Sequence, residues 1–503
     1  MKETSKRLLI CFVSLQITQT YAESNTFDSV KKGVSRLLAP EPTAVQVIDL
    51  SELSGIQLDT SRVEELPIVG RPSSMQMNQP SSSFSTLGST ALEGRPIDFM
   101  NAIHMAVQRR PEISQSISEV ASQGARIDVA RAGYYPKLSG GIGTADLTKG
   151  ERGRQLISLE ATQLLYDFGK TKSSVDVEKA RLAQSQARVL SAIDDIAYQV
   201  ANSIVNVQRY REVVRIADEQ IKGIGKIAEI TDLRAQAGIS SQADPVQAKT
   251  TLEAAQSNKI VQETQLRQYL QRLRTLLGYD VSNIEWKIPD TLVTNANLYQ
   301  DPEFNRIPDM LVAQLGVELA KQQKEQTKLT AYPTLSVKGS VSQAINGRNP
   351  NNNKDDGFYN SIMLEASSNF YQGGAISAQT RSASYAEEAA KSLVNSTYLD
   401  VVDRVRLIRE EIENKQRQMS VLNARKELSI RTKELYQEQY KLGTRSAVDL
   451  LNAEQAIHSA AQEIETARYD IYAAIVQYIQ ITGRSRELYN LNNMTIQGFE
   501  IQP

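Results

Sequence analysis

The stretch YKLGTRSAVDLLNAEQ, residues 440–455, has a counterpart in AQAGISSQADPVQAKT, residues 235–250. In both stretches a glycine is followed three residues later by a serine and six residues later by an aspartate. The two copies stand 205 residues apart, which indicates that the chain contains one structural unit twice. The matched positions are Gly238 and Gly443, Ser241 and Ser446, and Asp244 and Asp449.

The spacing within each stretch predicts a turn between two helices. Glycine ends a helix readily because it adopts the left-handed conformation at no steric cost. The two serines are predicted to cap the next helix, and the two aspartates to occupy its third position, where free N–H groups favour negative charge. Pro245 is expected at the fourth helical position, a less favourable place for proline.

The repeat extends on both sides of these turns. YDFG, residues 166–169, matches YQGG, residues 371–374, and the helix end LLG at Gly278 matches ITG at Gly483. Upstream, the second copy carries additional residues, which we assign to the loop-like stretch QAINGRNPNNNKDDG, residues 343–357. The predicted organisation is a first repeat over residues 98–290, a linker over 291–305, a second repeat over 306–485 and a C-terminal tail over 486–503.

Each repeat is predicted to contain a helix, two strands, a long helix and a shorter helix. In the first repeat the opening helix is expected at about Asp98–Ala132 and the long helix at about Lys170–Ala237. About 68 residues of α-helix measure roughly 100 Å, which is longer than a globular core requires. The two shorter helices, of about 35 and 37 residues, would match this length if they were placed end to end.

The strands of the second repeat are predicted from alternation. Apolar and polar residues alternate from Leu335 to Ser342, which is typical of a strand with one apolar face. Aromatic residues gather at the predicted strand ends, where membrane-spanning β-proteins place rings at the boundary of lipid and water. The alternative is that ordinary hairpins pack on a soluble core. The candidate membrane-interface residues are Tyr134, Tyr135, Tyr166, Phe168, Tyr332, Phe358, Tyr359, Phe370 and Tyr371.

The N-terminus has the layout of a secretory signal peptide over residues 1–22. Lys2, Lys6 and Arg7 precede the apolar run LLICFVSL, and a small-residue cleavage site ends at Ala22. We therefore expect the mature chain to begin directly after this segment. Residues 23–97, rich in serine and proline, are predicted to form a flexible extension.

The composition disfavours several classes of function. The 57 basic and 58 acidic residues nearly cancel, so nothing favours nucleic acid as a partner. The single cysteine, Cys11, lies in the predicted signal peptide, so we expect neither a disulfide nor thiol chemistry in the mature protein. His104 and His458 are far apart, and neither a phosphate-binding loop nor a nucleophile elbow occurs. We therefore expect no enzymatic activity, no cofactor and no metal site.

With these motifs in place, the chain resembles the TolC-like outer-membrane channel proteins, also called outer-membrane factors. The resemblance covers about residues 98–485 and rests on the doubled Gly-x-x-Ser-x-x-Asp turn, the Tyr-Pro strand starts and the Tyr-x-x-Gly strand ends. It implies an α+β membrane protein with a two-repeat TolC-like fold. Four β-strands per chain would contribute to a 12-stranded trimeric barrel, and the helices would form a long periplasmic α-helical barrel.

The resemblance also implies a location and partners. The chain is expected in the outer membrane of a Gram-negative bacterium as a homotrimer in contact with outer-membrane lipid. In the family, the doubled turns dock a periplasmic adaptor (membrane fusion) protein, which connects to an inner-membrane ABC exporter or other pump. The candidate adaptor-docking residues are therefore Gly238, Ser241, Asp244, Gly443, Ser446 and Asp449.

Three functions remain in competition at this point. The stretch LLYDFGK, residues 164–170, resembles the branch of the family that serves type I protein secretion. The first alternative is the outer-membrane component of a multidrug efflux pump. The second is a structural periplasmic coiled-coil protein, which the strand segments argue against. Because a channel only conducts its cargo, its sequence need not record what that cargo is.

Overall fold

The computed structural model describes residues 98–145, 154–346, 349, 351–352, 354–355, 357–369 and 371–501. The predicted signal peptide, the predicted flexible extension and Phe370 lie outside the described residues. The chain divides into two compact units. The strand unit holds the described residues within 125–175 and 328–376, and the helical unit holds those within 98–124, 176–327 and 377–501.

The strand unit contains one antiparallel sheet. Its strands are β1 (Lys137–Ala145), β2 (Arg154–Tyr166), β3 (Thr334–Asn346) and β4 (Phe358–Ser367), and their order in the sheet is that of the sequence. Each repeat supplies a hairpin, and the pairing of β2 with β3 joins the two hairpins at the centre. The predicted two strands per repeat are therefore confirmed, and β1 and β4 are the edges of the sheet.

The helices follow the predicted plan. The structure contains α1 (Phe99–Arg109), α2 (Pro111–Arg131), α3 (Lys170–Gln236), α4 (Ala243–Leu277), α5 (Thr291–Asn295), α6 (Pro308–Leu329), α7 (Ala375–Lys441), α8 (Ala447–Ile481) and α9 (Ser485–Leu488). The long helices α3 and α7 have 67 residues each, and α4 and α8 have 35 each. Each long helix therefore measures roughly 100 Å.

The opening helix of the first repeat is not continuous, and the prediction of one helix over Asp98–Ala132 is wrong in this respect. The backbone of Arg110 is extended, with φ −70° and ψ 127°, and it separates α1 from α2. Proline disfavours the helical conformation in the residue before it, and Pro111 then begins α2 at a position where its missing N–H costs nothing.

The C-terminal tail folds onto the helical unit. A short hairpin pairs β5 (Thr495–Ile496) with β6 (Phe499–Glu500), and the side chain of Phe499 is buried. Tyr489 is also buried, its ring lies 6.0 Å from that of Phe99, and its carbonyl oxygen lies 2.6 Å from His104 Nε2. The tail thus contributes to the packing of α1, which the sequence analysis did not anticipate.

The two long helices differ in how they are covered. Much of one face of α3 is buried, including Ile193, Val200 and Ile204. In contrast, α7 exposes a series of apolar side chains that are each more than half accessible in the single chain. This series comprises Leu393, Leu399, Leu407, Val421, Leu428 and Leu435.

Across the described residues, none of the helices has the length and apolar character needed to cross a membrane.

Two glycine turns and a two-faced sheet as the candidate functional site

The first glycine turn (residues 237–242) ends α3. Gly238 has φ +71°, and the N–H groups of Gly238 and Ile239 donate to the carbonyl oxygens of Ala235 and Arg234, at 3.0 and 2.9 Å. This pair of bonds is the Schellman arrangement, which requires a left-handed residue at the position of Gly238. The predicted reason for this glycine is thereby confirmed.

The second glycine turn (residues 442–446) ends α7 in the same way. Gly443 has φ +74°, and the N–H groups of Gly443 and Thr444 donate to Tyr440 and Gln439, at 3.1 and 3.0 Å. Both glycines are exposed, and an added Cβ would meet no atom within 4 Å at either position. Larger side chains there would therefore project into open space.

The serine of the second turn caps the helix that follows. Ser446 Oγ accepts from the N–H of Asp449 at 3.2 Å and donates to Asp449 Oδ2 at 2.9 Å, so the prediction is confirmed for α8. Arg445 adds contacts that the sequence did not indicate, because its Nε donates to Gln439 and its guanidinium lies over the ring of Tyr436.

The first turn differs, and the predicted serine cap is wrong there, because Gln242 directly precedes α4 and its side chain makes no capping hydrogen bond. Ser241 Oγ accepts from the N–H of Ala243 at 3.2 Å rather than from Asp244, and α4 begins at Ala243. Asp244 is therefore the second helical residue and Pro245 the third, so the expected third and fourth positions are both wrong. In the first turn of a helix a missing N–H removes no helical hydrogen bond, so the proline is tolerated.

The two glycine turns lie over one apolar cluster. Residues of α3, α4, α7 and α8 meet in this cluster. Tyr440 lies just before the second turn, and the guanidinium carbon of Arg234, near the end of α3, lies 4.8 Å from the centre of the Tyr440 ring. Burial raises the pKa of the Tyr440 hydroxyl. The structure therefore brings the six predicted docking residues to one end of the two helix pairs. The cluster comprises Ile224, Ile227, Ala248, Ala255, Tyr440, Ala447, Leu450 and Leu451.

The sheet of the strand unit has two chemically different faces. One row across the four strands contains Leu138, Ala161, Gly339 and Ile362, and the next row contains Ser139, Glu160, Ser340 and Ser361. Because neighbouring residues of a strand point to opposite faces, these rows lie on opposite sides. Leu138 and Ile362 are exposed, whereas the hydroxyl oxygens of Ser340 and Ser361 lie 2.7 Å apart. One face is therefore apolar and open, and the other is polar.

Aromatic residues mark both ends of this sheet. Phe168 lies 4.7 Å from the ring of Tyr166 and 5.4 Å from that of Tyr332, and all three side chains are exposed. The antiparallel topology places Tyr134, Tyr135 and Tyr371 at this same end, and Phe358 and Tyr359 at the opposite end. The described residues of the predicted set thus form a larger group at one end of the sheet and a smaller group at the other.

A buried carboxyl group in the helical unit was missed by the sequence analysis. Asp194 of α3 is 2% exposed, and Arg486 Nε lies 3.8 Å from its Oδ1. Burial raises the pKa of Asp194 to about 7, against the opposing effect of Arg486 and with smaller contributions from Asp195 and Asp309. No local motif signals this site, since Arg486 lies in the tail and Asp194 in the first repeat.

This pKa predicts that stability falls as the pH rises. A carboxyl whose pKa is near 7 in the folded chain and near 3.9 in the unfolded chain favours folding when protonated, and the benefit is lost through pH 7. Between pH 6 and pH 8 the free energy of unfolding should decrease by roughly 1 kcal/mol. Thermal unfolding at the two pH values measures this. Asp194→Asn should remove this part of the dependence, whereas the control Asp218→Asn, at a side chain that is 43% exposed, should keep it. Equal pH dependence in both variants would contradict the assignment.

A sheet with one open apolar face, combined with long paired helices that end in glycine turns, defines a two-repeat channel architecture. The model of the outer membrane efflux protein family matches residues 102–279 and 303–484, and the chain belongs to this family. Its members are outer-membrane channels and not enzymes. The chain is accordingly a protein of the outer membrane.

Individual relatives agree with this assignment. The outer membrane protein TolC of Salmonella enteritidis is 25% identical over 444 residues, covering 82% of this chain and 86% of the relative. The alkaline protease secretion protein AprF of Pseudomonas aeruginosa is 20% identical over 414 residues, covering 75% of this chain and 82% of the relative. The crystal structure of the outer membrane protein VceC of Vibrio cholerae superposes with a TM-score of 0.66 at 16% identity, covering 76% of this chain and 96% of that one, which shows a shared fold.

Proposed function

We propose that three copies of the chain assemble into an exit channel for type I protein secretion. The observation that carries the assembly is the sheet of the strand unit, whose edge strands β1 and β4 have no partner on their outer sides among the described residues. Unpaired backbone groups are costly in lipid, and the exposed apolar face of the sheet suits lipid contact. Neighbouring copies satisfy both edges at once if β4 of one copy pairs with β1 of the next.

The exposed apolar series on α7 supports the same assembly. Leu399, Val421 and Leu428 are each more than 60% exposed in the single chain. Apolar surface of this extent on one helix marks an interaction site, and a second copy of a long helical chain is a partner of matching length. We assign this series to contacts between copies.

The two glycine turns are the proposed docking site for a periplasmic adaptor protein. Gly238 and Gly443 expose backbone that no side chain covers, so a partner can approach the chain closely there. Ile239 and Leu442, which flank the glycines, are 64% and 78% exposed and add apolar contact area. The adaptor in turn connects the channel to an inner-membrane ABC exporter.

Two observations favour protein secretion over drug efflux. The stretch LLYDFGK, residues 164–170, is similar to the secretion branch of the family. The name of one relative, the alkaline protease secretion protein AprF, describes protease secretion. Drug efflux through a multidrug pump is the other outcome of the test.

The test captures the partner at the turns. A photo-crosslinking residue at Ile239 or Leu442 should trap an adaptor, and purification of that complex should recover an ABC exporter. The same residue at Tyr299, which is 70% exposed and lies outside the turns, is the matched control and should trap neither. In addition, a strain that lacks the gene for this chain should no longer release the secreted protein into the culture medium.

Other outcomes are informative. Recovery of a multidrug pump, with increased drug sensitivity of the deletion strain and an unchanged set of secreted proteins, would replace the proposed cargo. Equal capture at Tyr299 would contradict docking at the turns. The molar mass of the purified protein should be that of three chains. Any other value would contradict the proposed assembly.

A further inference from the structure

A buried acidic side chain lies just beyond the apolar cluster under the glycine turns. Glu454 of α8 is 2% exposed, and it follows Leu450 and Leu451, which belong to that cluster, by one helical turn. Burying a carboxylate is costly unless it is paired, and Glu454 has partners on two helices. Lys433 Nζ of α7 lies 2.5 Å from its Oε2, and His458 Nε2 of α8 lies 3.2 Å from its Oε1.

The third helix at this site contributes a glycine. A Cβ built at Gly223 of α3 would lie 1.7 Å from Glu454 Oε1 and 2.7 Å from its Cδ, so any other residue there would force this buried, paired carboxylate to move. Gly225, two residues later in the same helix, would meet nothing within 4 Å. Glycine destabilises a helix interior. Of these two glycines, Gly223 is the one at which the structure shows a close approach of another side chain.

These contacts hold the carboxylate ionised. Burial alone would raise the pKa of Glu454, but His458 and Lys433 outweigh it and hold the pKa below its usual range. A displacement of α8 by one residue, about 1.5 Å, relative to α3 and α7 would move the carboxylate away from Gly223 and from Lys433, whereas His458 would move with it on α8. The apolar contacts of the cluster, to which Leu451 belongs, are non-directional and tolerate such a displacement far better.

We propose that Glu454, inserted against Gly223 and held by Lys433 and His458, is a positioning residue that fixes the second glycine turn relative to the first. The second turn directly precedes α8, whereas the first directly follows α3. The contact between Glu454 and Gly223 therefore ties together the two helices that carry the turns. This inference rests on the proposed function for its consequence, which is that an adaptor meets both turns in one fixed arrangement.

The first measurement is the distance between the turns, which needs no adaptor. Spin labels are placed at Ile239 and Leu442, both exposed, in a chain with Cys11 replaced by serine and diluted with unlabelled copies. The labelled chain without further substitutions should give one narrow distribution of the distance between the two labels. Gly225→Ala should leave it unchanged, since it adds the same methyl group to the same helix without a collision.

Gly223→Ala should broaden the distribution or shift it by several ångströms, because the methyl group displaces the carboxylate. Adding Glu454→Asp to this variant should restore the narrow distribution, since aspartate keeps the charge and is shorter by about 1.5 Å. If Gly223→Ala fails to assemble, Lys433→Met decides, because it removes the cation and keeps most of the side chain. Lys433→Met should also broaden the distribution.

The second measurement is adaptor crosslinking at Leu442. It should decrease at least fivefold in Gly223→Ala and return in the double variant. A narrow, unchanged distance in Gly223→Ala, or in Lys433→Met where the first variant does not assemble, would overturn the positioning role. A changed distance with unchanged crosslinking would overturn its role in docking. Failure of the unaltered protein to crosslink, with the distances behaving as expected, would instead contradict the proposed function alone.

Discussion

Gly443→Arg should leave trimers in the outer membrane in normal amount and abolish export. The left-handed conformation of Gly443 costs an L-residue roughly 1–2 kcal/mol, which is small for a large assembly. Apart from its two chain neighbours, no atom lies within 4 Å of the position of the added Cβ, so the arginine side chain leaves the backbone into open space. It does occupy the space through which an adaptor would approach the exposed backbone of the turn.

The measurement compares membrane-inserted trimer, secreted protein and adaptor crosslinking in the same cells. Gly238→Arg should show the same pattern to a lesser degree, and Gly443→Ala should be close to normal because a methyl group adds little bulk. Gly498→Arg is the matched control, since Gly498 is also exposed and left-handed, with φ +85° and nothing within 4 Å, but lies in the tail hairpin. Normal export by Gly443→Arg, or loss of export only through loss of the trimer, would refute the docking role.

Gly483→Ala should destabilise the protein far more than Gly278→Ala, although the two glycines are equivalent in the repeat. Both are left-handed, with φ +67° and +79°. A methyl group at Gly483 would lie 2.6 Å from the carbonyl oxygen of Arg306 and 3.0 Å from the Cα of Ile307. Backbone cannot move aside cheaply, and Arg306 O also accepts a hydrogen bond from Arg486 Nη2 at 2.7 Å.

At Gly278 the nearest atom is Nη2 of Arg109, at 3.2 Å, the flexible end of a side chain that can move. We therefore expect roughly 1–2 kcal/mol for Gly278→Ala from the backbone conformation alone. For Gly483→Ala, overpacking adds to that cost, giving about 3 kcal/mol in total. Thermal unfolding of the purified protein measures both variants, with each serving as the control for the other. Similar losses of stability would show that the α8 end has more room than the structure indicates.

The sequence predicts the large elements of the fold well because each of them occurs in both copies of the repeat. The end of α3 was expected at Ala237 and is found at Gln236, since the left-handed glycine can be recognised from its spacing alone. The break at Arg110 could also have been predicted, because Pro111 restricts the residue before it. The absence of a serine cap on α4 could not, since the sequence context of Ser241 closely resembles that of Ser446.

The contacts between distant parts of the chain could not be predicted from the sequence. The repeat gives no indication of the contact between Gly223 and Glu454, because the equivalent positions are Leu428 and Lys249. Likewise, alternation revealed the two faces in the second repeat, but β1, with the run GGIG, shows its apolar face only once the register with β2 is known. The adaptor-docking role of the glycine turns stays a prediction, as the geometry describes one chain.

The central pairing of β2 with β3 has a consequence for biogenesis. β2 ends at Tyr166 and β3 begins at Thr334, so the middle of the sheet forms between segments separated by the whole of α3, α4 and α6. Contacts of such long sequence separation form slowly, and an isolated two-stranded hairpin is at best marginally stable. The middle of the sheet therefore cannot form until β3, which begins at Thr334, has left the export machinery. A chain whose synthesis stops after the first repeat has β1 and β2 but lacks β3 and β4. Folding of the four-stranded sheet must therefore wait until β3 and β4 have been exported.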